Sequence, residues 1–296
     1  MYKRQFLTTW GSHPEWLVRR WLRRWGAAAV RSLVEADNRR PSTFVVPLDG
    51  SADRAAERLG AAGIDAEVVG GGTGCVRLGD PGRVSDALDA LGTAIVQDPG
   101  ANLVARYADV PSGASVADLC AAPGGKILAL SGRPSTLIAA DRSESRIEML
   151  KENARRVGRP LVTVVADALH PPLATADVVL LDAPCTGTGT LSRHPDGRWR
   201  LTPDSVTRMA DLQGRMLRAA ADVVAAGGLL VYSTCSLEPE ENEGAVESFL
   251  AVRPDFQVEP TGAVPERYLD GRGRLVVTPQ DSGFDGAFAA RLRRVA

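Results

Sequence analysis

Cysteine and histidine are scarce in this chain of 296 residues, which contains four cysteines and three histidines. The cysteines form no C-x-x-C pair and have no neighbouring histidine, so the spacing indicates neither a disulfide framework nor a structural zinc site, and we expect no metal. A free cysteine in a reducing compartment is usually a small buried hydrophobe. Each therefore needs a specific reason before it is assigned a chemical role. The four are Cys75, Cys120, Cys185 and Cys235.

Long apolar runs are also missing. No stretch of about 18 apolar residues exists, and the N-terminus lacks the apolar segment and small-residue cleavage site of a secretory signal. We therefore expect a cytoplasmic monomer with no membrane segment. Hydrophobic residues make up 44% of the chain and charged residues 24%, which is typical of a globular protein. The length fits one large domain and one small one.

The net charge of −1 argues against indiscriminate nucleic-acid binding, but the charge is unevenly distributed. Residues 1–40 contain nine Lys/Arg and three Asp/Glu. A helix is predicted from Glu15 to Val34, with tryptophans and leucines at helical spacing. We expect the tryptophans to pack against the body and the arginines to lie in solvent, with RNA contact by the arginines as a second possibility. The arginines are Arg19, Arg20, Arg23 and Arg24.

Residues 1–100 are predicted to hold this helix and a small α+β domain of RNA-binding type, and residues 101–296 a catalytic domain. The boundary is placed near Asp98-Pro99-Gly100, which interrupts the pattern. The predicted short strands are Thr43–Val46, Ala66–Val69 and Cys75–Leu78. The predicted helices are Ala52–Ala62 and Arg83–Leu91.

Beyond Ser115, strands and helices alternate, which predicts an α/β fold with a seven-stranded, mostly parallel, Rossmann-like sheet covered by helices on both faces. The predicted strands are Ser115–Leu119, Thr136–Ala140, Leu161–Val165, Ala176–Leu181, Leu229–Ser233, Arg274–Val277 and Ala287–Leu292. The predicted helices are Lys126–Leu130, Glu144–Val157, Asp204–Ala226 and Glu240–Val252.

The first turn of this sheet has features of a nucleoside site. The segment from Asp118 to Lys126 closes a strand and opens a helix, where glycines let a ligand approach the backbone. Asp141 ends the next strand, where an acidic side chain commonly accepts ribose hydroxyls. Glycine turns are common for steric reasons, and Asp141 and Asp167 could instead cap the elements that follow them. An NAD-dependent enzyme is disfavoured because the turn lacks G-x-G-x-x-G.

Two cysteines stand immediately after strands, in Asp182-Ala183-Pro184-Cys185 and in Thr234-Cys235-Ser236. A structural cysteine would more naturally lie inside a strand. Since the carboxyl ends of parallel strands meet at one edge of the sheet, we expect the two sulfur atoms to open into one pocket.

These two segments resemble the signature blocks of the RNA cytosine-C5 methyltransferase family, the NOL1/NOP2/Sun group. The resemblance covers nearly the whole chain. It extends to Arg193–Trp199 and to Asp285–Leu292. The first 100 residues, notably His13–Val18 and Arg23–Gly26, resemble the region before the catalytic domain in the bacterial 16S rRNA methyltransferase B branch of that family.

The resemblance implies an S-adenosylmethionine-dependent enzyme that methylates carbon 5 of cytosine in RNA, expected to be 16S rRNA in a single-stranded or locally opened segment. It implies that Cys235 is the nucleophile and that Cys185 assists release of the product. The implied cofactor-binding residues are Cys120, Ala121, Ala122, Pro123, Gly124, Gly125, Lys126, Asp141, Arg146, Asp167 and Asp182. Lys126 could instead be an ordinary solvated lysine of a first helical turn.

The chemistry needs these residue types. Carbon 5 of cytosine is a poor nucleophile until a thiolate adds to carbon 6, so the cysteine pKa must fall from about 8.5. We expect Asp182, in its protonated form, to stabilise the charge that develops near N3. The base must also leave its stack. Arg193, Arg198 and Arg200 would suit the basic surface that approaches it.

Other functions remain open at this point. An adenine or guanine N-methyltransferase needs no cysteine pair and typically carries Asn/Asp-Pro-Pro-aromatic at the position of Asp182. A catalytically silent RNA-binding or ribosome-assembly factor could keep the fold without the activity. A 5-methylcytosine methyltransferase that acts on tRNA would share all of the features above.

Overall fold

The chain begins with a long helix that packs against the rest of the molecule. The structure is a computed structural model and describes residues 5–295. A helical turn, Phe6–Trp10, precedes helix α1 (Glu15–Asp37), which is kinked at Gly26, where φ is 75°. Glycine reaches positive φ without steric cost. Trp21 is fully buried, which agrees with the predicted packing role of the tryptophans.

The small domain is a four-stranded antiparallel sheet with two helices packed on one face. The strand order is β2-β3-β1-β4. Its strands are β1 (Thr43–Pro47), β2 (Ala66–Val68), β3 (Val76–Leu78) and β4 (Ala94–Val96), and its helices are α2 (Ala52–Ala61) and α3 (Val84–Leu91). Leu59 and Leu91 of the helices pack on Val76 in a common core. Strand β4, which pairs with β1, was not predicted.

The large domain is built on an eight-stranded sheet in the order β10-β12-β9-β8-β5-β6-β7, with β11 paired to β12. Strands β5 to β9 are parallel, and β10, β11 and β12 are antiparallel. The strands are β5 (Ser115–Asp118), β6 (Thr136–Asp141), β7 (Val162–Val165), β8 (Ala176–Asp182), β9 (Val224–Thr234), β10 (Phe256–Val258), β11 (Leu275–Val277) and β12 (Ala287–Arg294).

Helices cover both faces of this sheet. They are α4 (Pro99–Tyr107), α5 (Gly125–Ala129), α6 (Glu144–Arg156), α7 (Gly197–Arg200), α8 (Pro203–Asp222), α9 (Glu243–Val252) and α10 (Pro279–Ser282). Neighbouring residues of one strand belong to different cores, since Val116 packs in one apolar cluster and Ala117 in another. A parallel sheet buried in this way reads as continuous apolar strands.

The predicted mostly parallel Rossmann-like sheet is therefore confirmed, with three differences of detail. Strand β10 is an eighth strand that the sequence did not reveal. The helix predicted to end at Ala226 ends at Asp222, because Val224 already pairs with Ala176 of β8. The helix predicted from Glu240 begins at Glu243, because the residues before it form a turn. Among the described helices, none has the length and apolarity needed to cross a membrane.

Candidate active site at the carboxyl edge of the sheet

The loop between β5 and α5 is held by two buried aspartates. Asp118 accepts the N–H of Cys120 at 3.1 Å, and Asp141, at the end of β6, accepts the N–H of Ala122 at 3.3 Å. Arg146 lies 3.3 Å from Asp141 and also donates to the carbonyl of Ala122. The structure thus brings the predicted loop, Asp141 and Arg146 together.

Side chains of neighbouring segments pack closely against the glycines of the same loop. Gly124 has φ of 109°, and a Cβ atom there would come within 3.2 Å of Leu150, so only glycine fits. At Gly125 a Cβ atom would lie 3.0 Å from the amide nitrogen of Gln97. The Gln97 side-chain oxygen is buried and has no hydrogen-bond partner among the described residues. The unsatisfied buried acceptor of Gln97 and the nearby carboxylates fit a nucleoside cofactor such as S-adenosylmethionine.

Lys126 is not a solvated lysine, because it pairs with Asp182 at the end of β8. The ammonium lies 2.6 Å from one carboxylate oxygen, and the Ser233 hydroxyl donates to the other at 2.8 Å. Burial lowers the pKa of Lys126, but Asp182 outweighs burial and raises the pKa above its ordinary value. Burial, reinforced by the nearby Asp182, raises the pKa of Asp118 to about 7. The proton-donor role expected of Asp182 stays a prediction.

The two cysteines meet in this region. The Sγ atoms of Cys185 and Cys235 are 3.3 Å apart, and both side chains are half-buried. A hydrogen bond from Cys185 lowers the pKa of Cys235, against the opposing effects of burial and of Asp182, and Lys126 acts in the same direction as Cys185. The same hydrogen bond, together with burial, raises the pKa of Cys185 well above its ordinary value. The contact therefore favours the thiolate at Cys235 and the thiol at Cys185.

A buried glutamate that sequence reasoning missed joins the two cysteine loops. Glu241 accepts the N–H of Thr186 at 2.9 Å, the hydroxyl of Ser236 at 2.6 Å and the amide of Gln213 at 2.9 Å. Thr186 and Ser236 directly follow the two cysteines in the chain. Burial raises the pKa of Glu241, although these donors oppose it. The glutamate-rich segment after Cys235 was the only signal in the sequence.

Close backbone packing ties a third segment to the cysteines. The N–H of Gly189 donates to the carbonyl of Cys235 at 2.9 Å, and the N–H of Gly286 donates to the carbonyl of Gly189 at 2.7 Å. A Cβ atom on Gly189 would lie 2.7 Å from both the Cys235 carbonyl oxygen and the Gly286 Cα. The segment before β12 thereby contributes to the site.

Helix α1 holds the chain that leaves Cys235. The indole N–H of Trp21 donates to buried Glu238 at 3.0 Å, and Arg20 donates to the same carboxylate. Arg24 pairs with Glu243 at 2.7 Å. Arg24 is exposed, as expected, although it is paired, whereas Arg20 is only partly exposed because Glu238 and Glu240 reach it. Both arginines anchor the loop rather than offering free charge to RNA.

Two of the three arginines expected on the basic surface that approaches the base are instead bonded to residues of this chain. Arg198 is buried and donates to the carbonyl of Asp37 at 3.1 Å and to the Asn38 side chain at 2.8 Å, so its prediction as an RNA contact was wrong. A run of arginines in a sequence does not show which of them turns inward. Arg200 is exposed and pairs with Asp196 at 2.8 Å.

Arg193 bridges two acidic residues beside the cysteine loops. It lies 2.8 Å from Asp98 and 2.6 Å from Asp285. Burial, together with Asp98, raises the pKa of Asp285 to about 7 in spite of Arg193. Arg193 thus joins the segment before α4 to the segment before β12.

Asp167 is exposed and caps a turn, since it accepts the N–H of Leu169 at 2.9 Å. This is the capping role considered for it from the sequence, and a contact with the cofactor stays a prediction. Within residues 5–295, no group of three or more His, Cys, Asp or Glu side chains is placed to hold a metal ion.

Comparison with known proteins gives a consistent result. A family model described as 16S rRNA methyltransferase RsmB/F matches residues 109–293, and a model for the ferredoxin-like domain of RsmF/B-like methyltransferases matches residues 13–85. The probable ribosomal RNA small subunit methyltransferase B of Synechocystis sp. is 34% identical over 96% of this chain and 67% of its own length. Ribosomal RNA small subunit methyltransferase B of Thermus thermophilus is 40% identical over 67% of this chain and 50% of its own length.

The solved structures agree on the fold. A methyltransferase homolog protein from Pyrococcus horikoshii superposes with a TM-score of 0.81 at 26% identity, covering 99% of both chains. The chain spans between half and about two thirds of the length of the two curated relatives above.

Proposed function

Because the chain belongs to the RsmB/F family of 16S rRNA methyltransferases, we propose that it transfers the methyl group of S-adenosylmethionine to carbon 5 of a cytosine in 16S rRNA. The observation that carries the proposal is the pair of thiols 3.3 Å apart, one with a lowered pKa and one with a raised pKa. An N-methyltransferase for adenine or guanine has no use for such a pair. Chemistry at carbon 5 requires a thiolate to activate the ring.

S-adenosylmethionine would be held by the loop Cys120–Lys126, Asp141 and Arg146, with Asp167 and Asp182 at the neighbouring strand ends, and it supplies an electrophilic methyl group. The free oxygen of Gln97 is available to accept a hydrogen bond from it. Asp141 already anchors the loop, so it can position the nucleoside while it accepts ribose hydroxyls.

Different residues of this chain act on different atoms of the cytosine. The Cys235 thiolate forms a bond to carbon 6, which makes carbon 5 nucleophilic. In its protonated form Asp182 donates a proton to N3 during addition and takes it back when the ring is restored. The ammonium of Lys126, 2.6 Å from its carboxylate, stabilises the negative charge that Asp182 carries between these two steps. After carbon 5 has gained the methyl group and lost its proton to a base, Cys235 leaves as a thiolate. The Cys185 thiol stabilises that leaving group, because it donates to the same sulfur in the free enzyme.

The direct test uses cofactor labelled in its methyl group, 16S rRNA that lacks the modification, and digestion to nucleosides. We expect label in 5-methylcytidine, none with Cys235→Ala, and a covalent RNA adduct that survives a denaturing gel with Cys185→Ala. Cys75→Ala is the matched control, because Cys75 is buried in the core below the small domain. Label in methyladenosine, or full activity of Cys235→Ala, would overturn the proposal.

The same experiment separates the alternatives. A silent assembly factor would give no label with any RNA, and Cys235→Ala would change nothing. The relatives named above are ribosomal RNA methyltransferases, which favours ribosomal over transfer RNA as the substrate. Preferential labelling of tRNA in a parallel reaction would reverse that choice.

A further inference from the structure

A cleft of about 180 Å³ opens beside the cysteine loops, at the end of α1. Its lining includes Arg39, Arg40, Arg193 and Asp285. The residue after Asp285 is Gly286, which is bonded to Gly189 and through it to the backbone of Cys235. The cleft is therefore linked through two backbone hydrogen bonds to the loop that carries Cys235.

The uncommitted charge in this cleft is positive. Arg39 and Arg40 are exposed, and neither side chain makes a hydrogen bond or ion pair with any residue in the range 5–295. The acidic residues Asp98 and Asp285, by contrast, are both engaged by Arg193. The cleft thus presents two free guanidinium groups, which suit the phosphates of a nucleic-acid strand.

An exposed tryptophan belongs to α7, a short helix that is anchored to the end of α1. The Trp199 side chain is 60% exposed, although tryptophan is usually largely buried. Its neighbour Arg198 is buried and fixes α7 to Asp37 and Asn38, the residues that immediately precede Arg39. This anchor fixes the helix that carries Trp199 to the segment that leads into Arg39 and Arg40, and the Trp199 ring remains uncovered. An exposed indole is a stacking surface for an unpaired base.

We propose that Arg39, Arg40 and Trp199 form a subsite for the RNA strand that flanks the target cytosine. The arginines bind its phosphates, and Trp199 stacks on a base that has left the helix together with the target. The inference rests on the proposed function, since the strand is the one whose cytosine reaches Cys235. When one base is extracted from its stack, its neighbours lose stacking contacts. An exposed aromatic side chain replaces those contacts.

The test measures RNA binding without any methyl transfer. A fluorescently labelled, cytidine-containing single-stranded RNA is titrated with the full chain, without cofactor, over a series of salt concentrations. For Arg39→Ala/Arg40→Ala we expect weaker binding and a salt slope (log K against log salt) smaller by about 1.4, since each phosphate contact on single strands contributes about 0.7. For Trp199→Ala we expect a loss of about 5- to 150-fold with an unchanged slope, and for Trp199→Phe a much smaller loss.

The control is Arg215→Ala/Arg218→Ala on α8, which removes the same charge from two exposed arginines outside the cleft. Thermal unfolding confirms that each variant is folded. The subsite is refuted if the Arg39/Arg40 variant keeps the wild-type affinity and slope, if the control pair loses as much, or if the wild type does not bind the RNA at low salt. Failure of the proposed function would instead appear as the absence of 5-methylcytidine in the wild-type assay, whatever the binding result.

Discussion

The two cysteines have identical side chains but opposite proton affinities, and the difference arises from one contact between them. The thiol of Cys185 donates to Cys235 across 3.3 Å, which stabilises the thiolate of Cys235 and holds the proton on Cys185. Lys126 adds a positive charge on the Cys235 side. The different roles that the motif suggests for Cys235 and Cys185 are therefore consistent with the contacts around the two sulfur atoms.

We expect Cys185→Ala to raise the pKa of Cys235, because the variant removes the donor that stabilises its thiolate. The measurement is the rate of Cys235 alkylation by iodoacetamide against pH, followed by peptide mass spectrometry so that Cys75 and Cys120 do not interfere. The midpoint should move to higher pH. Cys185→Ser, which keeps a donor, should move it less. An unchanged midpoint in Cys185→Ala would show that the contact does not set the thiolate.

Glu241→Gln is expected to loosen both cysteine loops. The carboxylate accepts four hydrogen bonds, two from Thr186 and one each from Ser236 and Gln213, and an amide would turn one acceptor into a donor that faces them. We expect a loss of about 1–3 kcal/mol in the free energy of unfolding, measured by urea denaturation, together with lower methyl transfer. Glu240→Gln, at a half-exposed neighbour, is the control. Equal stability of the two variants would contradict the role assigned to Glu241.

At the scale of elements, α1 and the loop after Cys235 behave as one unit. Buried Glu238 is where they meet, because Trp21 and Arg20 both donate to it. We expect Glu238→Ala to lower the free energy of unfolding by about 1–3 kcal/mol, since the Trp21 N–H loses its acceptor, and to slow Cys235 alkylation. Glu238→Gln keeps that acceptor and should lie between the wild type and Glu238→Ala.

The control for this prediction is Glu35→Ala on the same helix, which breaks an exposed i,i+4 pair with Arg31. Exposed pairs of this kind contribute little to stability. If Glu35→Ala and Glu238→Ala lowered the free energy of unfolding by the same small amount, α1 would not hold the Cys235 loop in place.

Elements with a repeating pattern could be predicted from the sequence, and those defined by their partners could not. Strands β5, β6 and β8 are apolar runs that end in Asp, and the sequence places them correctly. Strands β4 and β10 have three residues each and exist because longer strands pair with them. Helix α4 begins with the Pro99-Gly100 pair that suggested a break, and Asp98 caps the helix by accepting the N–H of Gly100.

The residues of the candidate site likewise divide into those that could be predicted from the sequence and those that could not. Cys185, Cys235 and Asp182 could be predicted because the ends of parallel strands converge. Glu241 and Gln97 could not, since their significance lies in contacts to residues far away in the sequence. Arg198 was wrongly expected at the surface, because its acceptors belong to the end of α1, more than a hundred residues earlier.

At the scale of the whole molecule, assembly of the site lowers the free energy of unfolding near neutral pH, and Asp118 illustrates the cause. It is buried at the end of the central strand β5, next to Asp182 and near Asp141. Its pKa of about 7 in the folded protein is far above the ordinary value of 3.8. The folded state therefore binds more protons than the unfolded state between about pH 4 and pH 7. The stability that this group contributes is fully present below pH 4 and is lost as the pH rises through 7.

Asp118→Asn should remove this dependence, because the amide is neutral at every pH and its oxygen can still accept the N–H of Cys120. We expect equal free energies of unfolding for variant and wild type below pH 4, and a variant that is more stable by about 2–4 kcal/mol above pH 7. Asp177→Asn is the control of opposite sign, since hydrogen bonds from Ser115 lower the pKa of exposed Asp177. Its deficit relative to the wild type should grow as the pH rises to about 4. Urea denaturation at pH 3.5, 5.5 and 8 distinguishes the two patterns. If the free energies of unfolding of Asp118→Asn and the wild type differed by the same amount at all three pH values, Asp118 would fold with its charge intact.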